Sequence, residues 1–402
     1  MVRLLLVGFA LAACSSSHGG GGDGGADAPM LPGAGSGLGA ATFGAGELDD
    51  PSNGGTITFQ QIGAAGWYPS VRDPAVGPCD AYQTDSCCLA TDTIATDTLS
   101  PWDDELVMTL RGPMEIKQLA VYQPSGDAWA LVSSWDDRSL SPVGIAFSGN
   151  GTETAGFPGT VGSECLVNVS TNVPFGCGPG SEPYCQVSSQ NQDRGWAGSK
   201  LFVVLARMPD AADVPGRCST DDTGNWFDAP WIGLSVGELV RAGAFSACQC
   251  YAKDPTMGYL GDGCGQFNVF EVVNDNNQYK NLDVFSTNFI GYGGYVGEGP
   301  CGSECAAATL GAGVDLIDKA HDTEAAAGAV ASPGSGPGAA FRRPELGFRY
   351  FLILLDVDGR AVQLALVHPQ AIPAALGPLL PALPATVPAS AIDAALALRL
   401  PR

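Results

Sequence analysis

The chain has 402 residues, a formal charge of -23, only 15% charged residues and 55 glycines. That is room for two domains, with a composition suited to short strands and many turns rather than long helices. Nucleic acid and anionic lipid surfaces are excluded as principal ligands, because binding phosphate needs clustered Lys and Arg, whereas a neutral polysaccharide is compatible with an acidic surface.

At the amino terminus Met1, Val2 and Arg3 form a short positive region and Leu4 to Ala10 an apolar one. Leu11, Ala12, Ala13 and Cys14 have the pattern of a bacterial lipobox, in which the cysteine is lipidated. The apolar run is shorter than the roughly 20 residues of a spanning helix. Residues 1–14 are therefore expected to be a lipoprotein signal peptide that exports the chain and anchors it through Cys14 to the membrane of a bacterial cell envelope. Ser15 in place of Asp favours the outer surface. An ordinary secretory signal is the alternative. Residues 15–46 are mostly Gly, Ser, Ala and Asp with almost nothing to bury, which reads as a flexible tether.

Residues 47–127 are expected to form a smaller β-rich module whose clearest strands lie between Arg111 and Gln123, with a boundary near Gly126. Residues 128–367 carry several strand candidates. Leu201 to Ala206 is apolar and β-prone, Phe267 to Val273 is another, and Phe348 to Leu355 pairs with Ala361 to Val367 across Asp358 and Gly359, a strong hairpin signal. This spacing suits a β-sandwich. The tail, 368–402, is rich in Ala, Leu and Pro; its regular prolines rule out a membrane helix. Ser390 and Asp393 suggest a capping box for a short last helix, in a segment otherwise expected to be poorly ordered.

Setting Cys14 aside, twelve of the thirteen cysteines remain, and an even number in an exported chain reads as disulfides. Connectivity is not deducible from sequence, although Cys248 or Cys250 is a plausible partner for Cys264. Three cysteines precede Gly126 and nine follow it, so full oxidation requires a bridge between Cys79, Cys87 or Cys88 and the later region. No cofactor pattern is present: the histidines are His18, His321 and His368, no Cys-x-x-Cys pair occurs, and zinc has no ligand set. The glycine-rich run Gly291 to Gly297 is followed by no helix pattern, which excludes a nucleotide loop. Asp356 to Gly359 begins like a calcium loop, but Arg360 stands where another oxygen ligand belongs.

The chemistry concentrates in Cys264 to Glu271. Side chains alternate along a strand, placing Gln266 and Asn268 on one face and Phe267 and Val269 on the other. Glu271 joins Gln266 and Asn268 only if one residue is inserted, a bulge at Val269 or Phe270, and bulges re-aim side chains beside active sites. The pattern resembles the bulged Glu-x-Asp-x-x-Glu strand of family 16 glycoside hydrolases, with amides at the first two positions. The flanks extend the likeness. Leu110 to Gln123, Gly195 to Phe202, Asp228 to Leu234, Ala247 to Tyr251, Gly263 to Val272 and Phe341 to Pro344 are similar, in that order, to the fungal cell-wall family called Target of SBF, and the similarity spans roughly residues 55–367.

That resemblance implies a jelly-roll or concanavalin-like β-sandwich, all-β and disulfide-bonded, and endo-1,3-β-glucanase activity. It implies that Glu271 is the acid/base, Gln266 stands in the nucleophile position and Asn268 in the helper position. Retaining hydrolysis needs two carboxyl groups about 5–5.5 Å apart, one attacking the anomeric carbon. An amide cannot form the glycosyl ester. Three readings stay open: a hydrolase using another carboxylate, with Asp262, Asp275 or Asp228 as candidates; a surface protein that binds β-1,3-glucan without cleaving it, since amides still hydrogen-bond hydroxyls; and a structural envelope protein. Trp226, Trp231, Tyr251, Tyr259, Tyr292 and Tyr295 cluster around the site strand, and sugar rings stack on aromatic faces. Trp231, inside an apolar strand, reads first as core, while Tyr292 and Tyr295 lie in a glycine loop that favours ligand contact.

Overall fold

The computed structural model describes residues 37–43, 46–48, 55–59, 66–73, 88–94, 99, 102–152, 156–176, 192–218, 228–241, 253–254, 258–259, 266–272, 285–289, 314–315, 343–359, 361–370 and 382–396. All of them lie in one compact unit, Leu31–Arg402. Two antiparallel sheets dominate. The eight-stranded sheet runs β1 (Gly55–Phe59), β18 (Ala361–Val367), β17 (Arg349–Asp356), β10 (Lys200–Arg207), β5 (Met114–Ser125), β6 (Ala128–Asp136) and β19 (Thr386–Pro388), with β8 (Thr160–Val161) paired to β5. The seven-stranded sheet runs β16 (Val314–Asp315), β15 (Phe285–Phe289), β14 (Gln266–Val272), β11 (Trp231–Val236), β4 (Leu106–Arg111), β9 (Leu166–Thr171) and β7 (Ile145–Ser148). Two ribbons, β2 (Gly66–Asp73) with β3 (Cys88–Ile94) and β12 (Lys253–Asp254) with β13 (Gly258–Tyr259), stand apart from these sheets.

The sheets face one another across a shared core, as a β-sandwich requires. Leu106, Met108 and Leu110 of β4, Phe267, Val269 and Phe270 of β14, Phe202 and Val204 of β10, and Phe351 and Ile353 of β17 belong to a single buried cluster. The alternate residues of β10 and β17, Leu201, Val203, Leu205, Leu352 and Leu354, belong to a second cluster on the other side of the eight-stranded sheet. Burial on both faces explains why these strands read as unbroken apolar runs. The hairpin foreseen at Asp358 and Gly359 is present: Asp356 pairs with Ala361, and Gly359 N donates to Asp356 Oδ1 at 3.1 Å.

The second cluster is completed by the two ends of the described chain. Leu38 joins it from one end; Leu383, Val387 and, from the helix Ala389–Leu396, Ile392 and Leu396 join it from the other. Leu38 N donates to Leu383 O, Leu131 N to Ala385 O, Tyr122 Oη to Pro384 O, and Gln118 Nε2 to Gly39 O. The tail expected to be poorly ordered thus supplies a third layer over residues 382–396, and the end of the expected tether docks beside it. Proline prevents a long helix, but it leaves room for a three-residue edge strand and two turns of helix. That helix starts at Ala389, one residue before the Ser390 taken as its cap.

The boundary expected at Gly126 is also corrected. Gly126 and Asp127 are the tip of the β5–β6 hairpin within one sheet, with Gly126 at φ +61°. The preceding strands are interior: β4 lies between β11 and β9, and β5 lies between β10 and β6. The chain passes from one sheet to the other through Gly112 and Pro113, where a Cβ on Gly112 would meet Gly162 O at 2.1 Å. Hence residues 106–125 are the centre of the sandwich and not part of a separate module. One disulfide, Cys165–Cys218, is found among the described residues. The expected bridges of Cys79 and Cys87 and the pairing at Cys264 lie outside the described residues.

Candidate functional site

The site strand is bulged as its sequence requires. Along β11, Ile232 pairs with Phe270 and Gly233 with Asn268, so Val269 has no partner of its own. On the other side, Asn268 pairs with Asn288 and Glu271 with Ser286, the same one-residue insertion. The cause is visible in the packing: Phe267, Val269, Phe270 and Val272 are all buried in the core. Two consecutive residues facing inward force the extra residue. By backbone alternation positions 266, 268 and 271 then share the face opposite the core.

Glu271 is held on that face by Arg111. Nη2 of Arg111 lies 3.1 Å from Oε1 of Glu271, and its Nε donates to Ala229 O at 2.7 Å. The side chains are 12% and 13% exposed, well inside the range where an ion pair is partly desolvated rather than fully screened. The two residues are not on adjacent strands. Trp231 stands between them in register, opposite Arg111 on β4 and Glu271 on β14. The Arg111 guanidinium lies 5.4 Å from the Trp231 ring centroid, a cation–π contact. A Cβ on Gly233 would lie 2.1 Å from that indole, so glycine is what lets the ring lie along the strand.

Trp231 is 4% exposed, yet it lies outside both apolar clusters. It is buried under charge on the outer face, between the two readings the sequence left open. The next row is polar: Thr109 and Gly233 pair with Asn168 and Asn268, and beyond these come Asn288 and Asp315. Thr109 Oγ1 donates to Asn168 Oδ1 at 2.7 Å.

Asp228, a candidate replacement carboxylate, is committed elsewhere. Arg343 grips both its oxygens, at 2.5 and 3.1 Å, and also donates to Met208 O and Pro209 O. Asp228 Oδ1 further accepts from Ala211 N. This clamp fixes the lead-in to β11 and hence Trp231. Of the remaining sequence-derived candidates, Asp262, Asp275, Trp226, Tyr251, Tyr292 and Tyr295 lie outside the described residues, and Tyr259 lies in β13. His368 is buried, with Nδ1 accepting from Gln370 N. Arg111 was missed as a site residue because its partner is remote in sequence; a lone arginine ending an apolar strand was the available signal.

Elsewhere a second charged centre serves the frame. Lys200 is fully buried at the start of β10 and donates to Asp104 O and Trp196 O at 2.8 Å. Burial lowers its pKa to about 7, against the opposing pull of Asp103, Asp104 and Glu105. Burial likewise raises the Asp103 carboxyl.

Comparison with known proteins places part of this chain. Residues 55–124 match the family model described as "Cell wall protein YJL171C/Tos1, N-terminal". Over 84 residues the chain is 29% identical to a Saccharomyces cerevisiae protein named "Probable circularly permuted 1,3-beta-glucanase TOS1", a match covering 21% of this chain and 17% of that protein. No solved structure matches. The likeness to the Target of SBF family is thereby found in the amino-terminal part of the span read from sequence, and the matched segment contains β4, β5 and Arg111. A fungal cell-wall relative conflicts with the expectation of a lipid anchor at Cys14 in a bacterial envelope; an exported, surface location is compatible with it.

Proposed function

We propose that the protein is an exported surface protein that engages β-1,3-glucan on the outer face of the seven-stranded sheet, and that it binds without cleaving by the retaining mechanism. The observation that carries this reading is the bulged strand: Glu271 shares a face with positions 266 and 268, where Gln and Asn stand in place of carboxylates. Without a nucleophilic carboxylate no glycosyl-enzyme ester forms. What remains is the ion-paired carboxylate of Glu271 beside the amide positions 266 and 268, a set suited to a neutral polyhydroxylated polymer. The aromatics Trp226, Tyr251, Tyr259, Tyr292 and Tyr295 would add stacking faces. The likeness to the yeast probable 1,3-β-glucanase supports the ligand class.

The test uses laminarin and insoluble β-1,3-glucan. The wild-type protein is expected to be retained on the insoluble polymer and to release no reducing sugar from laminarin. Gln266→Glu together with Asn268→Asp is expected to create hydrolysis that Glu271→Gln then abolishes. Absence of retention and of hydrolysis in the wild type would leave only a structural role in the cell surface.

A further inference from the structure

We propose that Arg111 is the positioning residue through which Glu271 meets the ligand, an inference that rests on the glucan-binding reading above. Arg111 and Glu271 are separated by the whole width of β11, roughly two strand spacings or 9.6 Å of backbone, yet their side chains meet at 3.1 Å. The arginine arm crosses over Trp231 to do this. Its other end is fixed, because Nε donates to Ala229 O, and the segment leading to Trp231 is in turn clamped by the Asp228–Arg343 pair. Pro230 O accepts from Val272 N at 3.0 Å, tying the same lead-in to the residue after Glu271.

The result is a carboxylate set by three strands rather than by its own rotamer preference. On its own, Glu271 at the end of a bulged strand would sample several directions, since the bulge leaves the local ladder incomplete. With one oxygen held by a planar guanidinium, the direction of the carboxylate is restrained, and a hydroxyl donor that reaches it meets it in a more constant orientation. Only a guanidinium suits the place. It donates in two directions at once, to Ala229 O and to Glu271, and presents a flat face to the indole; an ammonium is a single point on a flexible stem and does neither well. Gly233 completes the device by leaving room for the ring that supports the arm.

The ligand follows from the chemistry. A preset acceptor within a row of hydroxyl and amide positions favours a ligand rich in O–H donors and carrying no negative charge, because an anion would meet Glu271 directly. Within the proposed function this means that Arg111 contributes affinity for β-1,3-glucan through Glu271 without touching the glucan.

The experiment measures laminarin affinity and melting temperature for the wild type, Arg111→Lys, Arg111→Met, Glu271→Gln and the Arg111→Met/Glu271→Gln double variant. Loss of one charge-assisted hydrogen bond corresponds to roughly tenfold or more in Kd, and that weakening is expected for Arg111→Met and for Glu271→Gln alike. The double variant is expected to be no weaker than either single one, since positioning and positioned group act as a unit. Arg111→Lys should recover little of the loss. If Arg111→Met fails to fold, the same cycle is read with Arg111→Lys in its place. Losses that add in the double variant, or a folded arginine variant with wild-type Kd and only a lowered melting temperature, would overturn the inference while leaving glucan binding intact. A wild type that does not bind laminarin would remove the functional reading itself, and this inference with it.

Discussion

On the outer face of the eight-stranded sheet, Leu201, Val203, Leu205, Leu352 and Leu354 are buried beneath residues 37–43 and 382–396. On the outer face of the seven-stranded sheet, Thr109, Asn168, Ser170 and Ser235 are equally buried, and Arg111, Trp231 and Glu271 lie beside them. The backbone geometry is the same antiparallel ladder in both. What differs is the residue type at alternate positions. Apolar side chains on one face recruited a further layer of the chain's own ends and closed it off, through area removed from water. Polar side chains on the other meet one another across strands, as in the Thr109–Asn168 hydrogen bond and the Arg111–Glu271 ion pair, and bury little apolar area. The first face therefore contributes stability, and the second is the face proposed above for recognition.

That division can be broken by experiment. The largest effect is expected at the polar clamp: Arg343 is wholly buried and its guanidinium binds Asp228, so Arg343→Met should cost roughly 3–5 kcal/mol by stranding a carboxylate. Chemical denaturation measures this, and laminarin affinity should fall with it, because Asp228 leads into Trp231. On the apolar face Leu383→Ala is expected to cost roughly 2–5 kcal/mol with glucan affinity unchanged in the folded fraction. A parallel loss of binding there would show that the two faces are coupled. Gly233→Ala is expected to cost roughly 1–3 kcal/mol through overpacking against Trp231, and to weaken laminarin binding by more than its stability change suggests.

A pH-dependent effect belongs to neither face. Lys200 has a folded pKa lowered to about 7 from an ordinary 10.5. Between those values the unfolded chain carries a proton that the folded chain lacks, so this residue makes stability rise with pH from about 7 to about 10.5. Below about 7 both states are protonated and the penalty for burying the charge is fully in force. Urea midpoints measured from pH 6 to 10 should show the rise, and Lys200→Met should flatten it.

Local signals were read well and remote ones were not. The apolar positions 267, 269, 270 and 272 cannot all face a core without a bulge, so the bulge was legible in β14 alone. The hairpin at Asp358 and Gly359 was legible for a similar reason, in its turn residues. Gly126 and Asp127 have the composition of either a linker or a hairpin tip, and only the long-range pairing of β5 with β10 decides between them. The Ala- and Pro-rich tail has little propensity of its own; its strand and helix exist because an apolar sheet face is there to receive them. Arg111 finds Glu271 160 positions away, a contact no window of sequence contains. The Cys165–Cys218 bridge was one choice among many for the same reason.

The hydrogen bond from Leu38 to Leu383 makes the described chain nearly a closed circuit. In such a circuit the place where the polypeptide is cut is separable from the architecture. A connector from beyond Leu396 to Gly37, with a new opening at the exposed Gly126–Asp127 tip, would retain every strand pairing of both sheets while moving β4 and β5 from the beginning of the message to its end. The order of strands along the chain is thus one of several itineraries through the same sandwich.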